Sequence, residues 1–377
     1  MKRAATEKFP TLTLRELNRA MLARQLLLER AKVDVVTAIE RLAALQAQWS
    51  PSPYIALWSR VAGFRREQLW SAIERHRVIR ARLMRGTLHL VSARDFFPYA
   101  VATQDLQRGA WNRLQVAQGV EPEKVAALAV SFARTPRAKK EVIAHLRERL
   151  GDVFNERYAW LVWRFVSAHA DLVSAPPGGR WDYGGTDAPY VAARHWIGGD
   201  GRPSDDQALE LLIRRCLAAF GPMTLADVAK FAGQVPARIR PSLNRLAPGL
   251  RRFSDEQGRT LFDLSRAPRP DGDTGAPVRF LPRYDELLIS YQYRDRVIAP
   301  RHRPAIYAKN AIIEAVVLVD GFAAGTWGLE SAKAEAVLRV VPFARLGPRD
   351  RAAVTEEGER LARFLAPDAT STGVRVG

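Results

Sequence analysis

The sequence predicts an α+β fold, mainly α with β, in which a group of helices followed by two short strands occurs three times. Three observations predict it. Apolar residues recur at the helical spacing of three and four through much of the chain as far as residue 246. Each helical group gives way to short β-favouring runs around a turn. Residues 278–345 then read mostly as strands, and a last helix follows. Helices followed by a two-stranded hairpin are the outline of a winged helix-turn-helix motif. The chain therefore divides into units at 12–98, 99–203 and 204–266, a strand-rich segment at 278–345, and a helix with tail at 346–377.

In the first unit, Thr13 can cap a helix over 13–30, with Glu16 closing a capping box. Asp34 starts a second helix, over about 35–46, and a short third follows Pro51 and Pro53. A fourth, "RREQLWSAIERHR", sets Leu69, Trp70 and Ile73 on one face. "VIRARLMRGTLHLVSARD" reads as two strands around Met84-Arg85-Gly86, a wing decorated by Arg77, Arg80, Arg82 and Arg85. The second unit has Arg137, Lys139 and Lys140 ahead of the helix "EVIAHLRERLG". A Trp-rich helix, "NERYAWLVWRFVSAHADLV", and a wing-like "GGRWDYGGTDAPYVAARHWIG" follow. In the third unit, "GPMTLADVAKFAGQVPARIRPSLNRL" is a helix-turn-helix with Thr224 as N-cap and Gly233 ending the helix. "LRRFSDEQGRTLFDL" supplies its wing, and "APRPDGDTGAP" at 267–277 marks a boundary.

The 377 residues carry 58 Lys and Arg against 40 acids, a net charge of +18. Only nine of the 58 are Lys. Arginine suits phosphate, because its planar fork donates two parallel hydrogen bonds. The surplus predicts a polyanionic partner, nucleic acid ahead of membrane. Residues 1–95 alone hold 18 basic and 8 acidic residues, which marks them as a candidate partner-facing surface. The single cysteine, Cys216, rules out a disulfide within the chain and fits a reducing compartment. The first residues, "MKRAATEKFPTLTLREL", contain no apolar core of a signal peptide, and no apolar run reaches ~18 residues. A cytoplasmic location is expected, and a monomer, since no heptad pattern offers a dimer seam.

No Walker A, GxSxG or HExxH motif is present. The six histidines are scattered without metal-ligand spacing, so no metal and no cofactor is expected. Asp285-Glu286, within "LPRYDELLISYQYRDR", is the densest acidic spot beside aromatics. It reads either as an acid/base site or as ion pairs with Arg283, Arg294 and Arg296. Gln46 and Gln48 read as amides at the end of the second helix, serving as C-caps or as catalytic groups. A glutamine cannot take a proton at neutral pH, but it can orient water.

Five blocks, taken together, resemble the AlkZ-like DNA glycosylases: "LAALQAQWSPSPYIALWSRV", "RGTLHLVSARDF", "AFGPMTLADVAKFAG", "FLPRYDELLISYQYRDRV" and "LVDGFAAGTW". The similarity covers about residues 12–345 in the same order. It implies a C-shaped scaffold of three tandem winged helices closed by a small β-barrel. It also implies excision of N7-alkylated purines from double-stranded DNA, some interstrand crosslinks included. The family's Gln–apolar–Gln signature falls on Gln46-Ala47-Gln48. Without an Asp at position 48, the chain resembles the crosslink-specialised, self-resistance branch.

The chemistry agrees with that resemblance. An N7-alkylguanine is cationic, so its base leaves neutral, and a positioned water with dipole stabilisation suffices. No nucleophilic Lys is required, so no lyase step is expected. The resemblance also implies that Thr87 and His89, in "RGTLHLV", lie close to the glutamines. "YQYRDRVIAPRHR" at 291–303 reads as a β-hairpin or extended loop carrying Arg294, Arg296, Arg301, His302 and Arg303. Together with Arg82 and Arg85, these are the expected DNA contacts, the hairpin entering the minor groove as the resemblance implies. The alternative, a non-catalytic winged-helix regulator of DNA, gives the paired amides no work.

Overall fold

The computed structural model describes residues 9–113, 121–151, 154, 159–185, 187–199, 201–332 and 335–377, with backbone alone at 105–113 and 332. The first residues of the chain and the start of "NERYAWLVW" lie outside them.

Local sequence signals place the early elements. After a short strand β1 (Thr11–Leu12), the Thr13–Glu16 capping box opens α1 (Leu14–Arg24). This helix stops well before residue 30, because Leu26 turns left-handed at φ 58°. That turn sends Leu26 and Leu27 into two different apolar clusters. The Asp34 carboxylate caps α2 (Val35–Arg41) by accepting from Val36 N and Thr37 N. The expected run to residue 46 does not occur. Ala43 adopts φ 66°, and Leu45–Gln46 form a strand, β2. A left-handed non-glycine residue costs about 1–2 kcal/mol and breaks any helix. Then come α3 (Ser52–Arg60), α4 (Arg66–Glu74), β3 (Val78–Arg82) and β4 (Leu88–Ser92), the last two joined by the turn Met84–Gly86.

Next come α5 (Ala93–Arg113), which runs across the boundary expected at 98–99, then α6 (Pro122–Phe132), α7 (Lys139–Leu150), α8 (Ala159–His169), β5 (Leu172–Ser174), β6 (Tyr190–Ala192) and the single turn α9 (Ala193–Trp196). They are followed by α10 (Asp205–Phe220), α11 (Leu225–Ala232), α12 (Pro236–Leu246), β7 (Leu250–Asp255) and β8 (Thr260–Leu264). Thr224 caps α11, and Gly233 ends it at φ 71°, as the sequence predicts. The strands read in the sequence as the first two wings are not free hairpins. They share one five-stranded sheet of order β2-β4-β3-β5-β6, so the first wing is its interior. The β7–β8 pair, read as the third wing, instead takes β1 alongside β7, in parallel.

The last segment is strand-rich only in part. β9 (Arg279–Leu281) leads into α13 (Glu286–Ile289), the 3-10 turns Arg294–Arg296 and Pro300–His302, and α14 (Arg303–Ile306). The β-hairpin expected at 291–303 is therefore absent. Tyr291, Val297, Ile298 and Ile306 are all buried in the main core, a spacing that helical turns satisfy and alternating strands do not. β10 (Val316–Val319), β11 (Phe322–Ala332) and β12 (Glu335–Pro342) follow, then α15 (Pro348–Leu365) and an unforeseen β13 (Ser371–Val376) parallel to β12. The sheet order is β13-β12-β11-β10-β9, and no pair joins its edges among the described residues, so it stands as an open sheet rather than a closed barrel. Val354, Leu361 and Ala362 of α15 cover it.

Ion pairs tie sequence-distant segments together. Arg24 meets Asp263 with bonds of 2.6 and 2.8 Å, and Arg60 meets Asp285 with two of 2.9 Å. Arg30 reaches Glu357 on α15 at 2.5 Å. The loop 267–277 is pinned rather than slack: Arg24, Arg15 and Arg19 donate to the carbonyls of Pro268, Gly272 and Thr274.

Candidate active site

Period two along β3 and β4 divides the central sheet into two faces. Arg80 and Arg82 project to one face, with Leu88 opposite Arg82 and Ser174 of β5 opposite Arg80. Ile79, Ala81 and Val91 project to the other and join the main core. On the arginine side lies a cleft of about 620 Å³. Its walls are Trp49, Pro51 and Leu88, then Trp160, Trp163 and Arg164 of α8, then Trp181, Tyr183 and Tyr190. Trp160 is 56% exposed and Trp49 37%, so aromatic faces are open to a ligand.

Gln46 and Gln48 do not share a face. Gln46, paired across β2 with His89, is buried. Its Oε1 accepts from Gln48 N at 2.8 Å, which turns the chain at the strand end. Gln48 is exposed and lines the cleft; its Oε1 approaches Leu88 N at 3.5 Å. Arg80 Nη2 donates to the Ala47 carbonyl between them, at 3.2 Å. Gln46 instead borders a void of about 10 Å³, the room of one water, with Gln25, Arg60, Asp285 and Glu286.

Behind β4 the charges are closed on one another. Arg85 Nη2 donates to both carboxylate oxygens of Glu286, at 2.7 and 2.9 Å, and its Nη1 donates to Phe231 O at 2.6 Å. His89, fully buried, has Nδ1 at 2.9 Å from Thr87 O. A carbonyl only accepts, so Nδ1 carries a proton. His89 Nε2 lies 3.0 Å from Glu286 Oε1. Burial alone would raise the Glu286 pKa, but Arg85 and His89 outweigh it and hold the carboxyl at about 2. Asp285, which also caps α13, is paired with Arg60. The Asp285-Glu286 spot is thus an ion-pair site, but its partners are Arg60 and Arg85, not Arg283, Arg294 and Arg296.

Of the expected DNA contacts, the structure brings only Arg82 into the cleft with Gln48. Arg85, His89 and Arg296 are each held inward, Arg296 by donation to Pro222 O at 2.8 Å and by stacking on Tyr291. Thr87 is half-buried, its hydroxyl 3.3 Å from Met84 O. Arg294 lies over Tyr307, and Arg303 pairs with Asp295 at 2.6 Å. His302 stacks on Phe343, and Arg301 is exposed beside it. None of these five residues after 293 lines the cleft. Sequence reasoning missed Arg80, Lys139, Arg164 and the tryptophans as cleft residues. Their signals, the Arg-x-Arg alternation of residues 80–82 and the Trp-rich helix, are present in the sequence.

Residues 39–364 match the family model described as DNA glycosylase AlkZ-like. An interstrand DNA cross-link repair glycosylase of Streptomyces sahachiroi is 26% identical over 368 residues, covering 90% of this chain and 93% of that protein. The solved structure of Streptomyces sahachiroi DNA glycosylase AlkZ aligns with a TM-score of 0.80 at 19% identity, covering 97% of this chain and 100% of that one, a likeness of fold. The matched span takes in Gln46, Gln48 and the whole cleft: the chain belongs to the AlkZ-like DNA glycosylase family and is a DNA glycosylase.

Proposed function

We propose that this enzyme hydrolyses the N-glycosidic bond of cationic N7-alkylated purines in double-stranded DNA, including interstrand crosslinks, as repair or self-resistance. The observation that carries the reading is Gln48. It is an exposed amide at the rim of an aromatic cleft, fixed through its own backbone N–H by the buried Gln46. An amide that accepts a hydrogen bond can hold a water against the sugar C1′ and stabilise an oxocarbenium-like transition state. It cannot protonate a leaving group, so the base must leave as a neutral molecule, which a cationic purine does. Tryptophan and tyrosine faces favour such a cation over its neutral counterpart. An open cleft also suits a crosslinked guanine, which cannot be flipped while its second strand is attached. The name of the Streptomyces sahachiroi relative supports the crosslink substrate. Gln48 itself offers no amine for a Schiff base, so excision through its bound water leaves an abasic site in an unbroken strand.

The test is release of free base from a 7-methylguanine duplex, with alkali-labile sites as the second product. Gln48→Ala is expected to slow release by about 100-fold at saturating protein while DNA affinity holds. Gln46→Ala, acting through Gln48, costs about 10-fold in the same rate. Duplexes with uracil or hypoxanthine remain intact. Efficient uracil release would overturn the reading, as would unchanged rates in Gln48→Ala.

A further inference from the structure

We infer that Arg80, Arg82 and Arg164 form a phosphate pocket in the Gln48 cleft, holding the phosphodiester of the nucleotide whose base is removed. The inference rests on the glycosylase reading above and adds how the substrate strand is seated. Elsewhere in this molecule, buried arginines meet carboxylates: Arg24 with Asp263, Arg60 with Asp285, Arg85 with Glu286. In the cleft they do not. Among the described residues, no carboxylate lies within 4.0 Å of Arg80, Arg82 or Arg164. The acid on the cleft wall, Asp182, is taken by Arg180 at 2.5 Å.

Arg80 is the sharpest case. It is 9% exposed, and its Nε has no hydrogen-bond partner. Its remaining bonds are neutral and long, to Ala47 O at 3.2 Å and Ser174 Oγ at 3.5 Å. A guanidinium stays protonated even when burial pulls its pKa down, as it does for Arg80 and Arg82. An unneutralised buried cation with an unused N–H is costly, and an anion arriving in the cleft offsets that cost.

The reaction brings such an anion with it. Arg80 touches the carbonyl of Ala47, the residue before Gln48, so the cation and the water-holding amide are neighbours. A sugar whose C1′ faces Gln48 therefore carries its own phosphodiester toward Arg80 and Arg82. Once seated, that phosphate screens the cationic base from the guanidiniums. It also places negative charge near the developing oxocarbenium, so the arginines bind the backbone without opposing the chemistry.

Full-length protein binding a duplex with a tetrahydrofuran abasic analogue tests this without any turnover. One flanking phosphodiester at a time is replaced by an uncharged methylphosphonate. Wild type is expected to lose about 10–100-fold in affinity at one of the two linkages, the range of a charge-assisted hydrogen bond. Arg82→Gln and Arg164→Gln bind the unmodified duplex more weakly, and the same methylphosphonate costs them little. Arg80→Gln without DNA melts no lower than wild type, because it removes an uncompensated charge. An equal methylphosphonate penalty in wild type and both variants overturns the pocket, and so does no penalty in wild type. Inorganic phosphate competing equally against both duplexes overturns the nucleotide assignment, leaving a general anion site. If the coupling holds while 7-methylguanine is not released, the pocket stands and the substrate reading falls.

Discussion

At the scale of residues, the two glutamines have different work because one hydrogen bond turns the chain between them. Period two would leave positions 46 and 48 on one face. The Gln46 amide, by accepting from Gln48 N, ends the strand and frees Gln48 for the cleft. The sequence pattern singles out both amides but places them on a helix, since nothing in a helical apolar period announces that Ala43 will turn left-handed. Behind them, Glu286 sets an acid limit. Its pKa falls from 4.5 to about 2 on folding, so it contributes stability that is fully present above about pH 4.5 and lost as pH falls toward 2. The amount is on the order of 3 kcal/mol. Glu286→Gln, which leaves Arg85 buried without its carboxylate, is expected to lose about 3–5 kcal/mol at pH 7. Denaturant unfolding from pH 7 to pH 3 should then show a flatter acid limb for the variant than for wild type. Identical curves would mean that the Arg85–Glu286–His89 cluster does not hold β4.

At the scale of elements, the wall of the cleft is a loop fixed from outside its own unit. Within residues 178–185, Trp181 packs edge-on against Tyr54 at 5.5 Å and Phe364 of α15 at 5.8 Å, under the Arg66 guanidinium at 3.7 Å. Ser50 Oγ and the Tyr54 hydroxyl donate to Tyr183 O and Gly179 O, each at 2.8 Å. The sequence reads this stretch as a wing, and β5 and β6 do flank it. Its role as a wall was not legible, because β5 finds its partner in β3, far upstream. The capped helices α1, α2 and α11 were legible, because each capping bond lies within three residues of its cap. Phe364→Ala tests the wall, since that ring lines no part of the cleft. It is expected to cost about 2 kcal/mol of stability, below the range for a fully buried ring. Base release should also slow by several-fold at a temperature where the variant is folded. A variant that melts early but excises at the wild-type rate would detach α15 from the site.

At the scale of the molecule, a surplus of +18 was legible in composition, but its distribution was not. Arginine fills both roles here, inside ion pairs and in an unpaired cleft, and only a non-local carboxylate decides which. The first 95 residues look like a uniform basic surface in sequence, yet Arg19, Arg24 and Arg60 are core residues. No helix among the described residues is long and apolar enough to cross a membrane. The grip on DNA should follow the arginines of the cleft. Removing Arg82 and Arg164 together is expected to flatten the slope of log K against log salt by about one to two units. Removing Arg301 and Arg303, one exposed and one already paired with Asp295, should change it by less than about one unit. A salt titration of both double variants decides between the cleft and the 291–303 segment.

The ion pairs between early and late residues also impose a schedule on synthesis. Arg24 waits 239 residues for Asp263, Arg60 waits 225 for Asp285, and Arg30 waits 327 for Glu357. At about 5–20 residues per second, the ribosome leaves the first of these cations unmatched for roughly 10–50 s. A nascent chain arrested at residue 240 should therefore keep α1 and α3 open to protease, although both are complete. One arrested well beyond residue 357 should protect them. The elements that carry the glutamines and their support would be made first and finished last, and a chaperone that holds the nascent chain would have that interval in which to act.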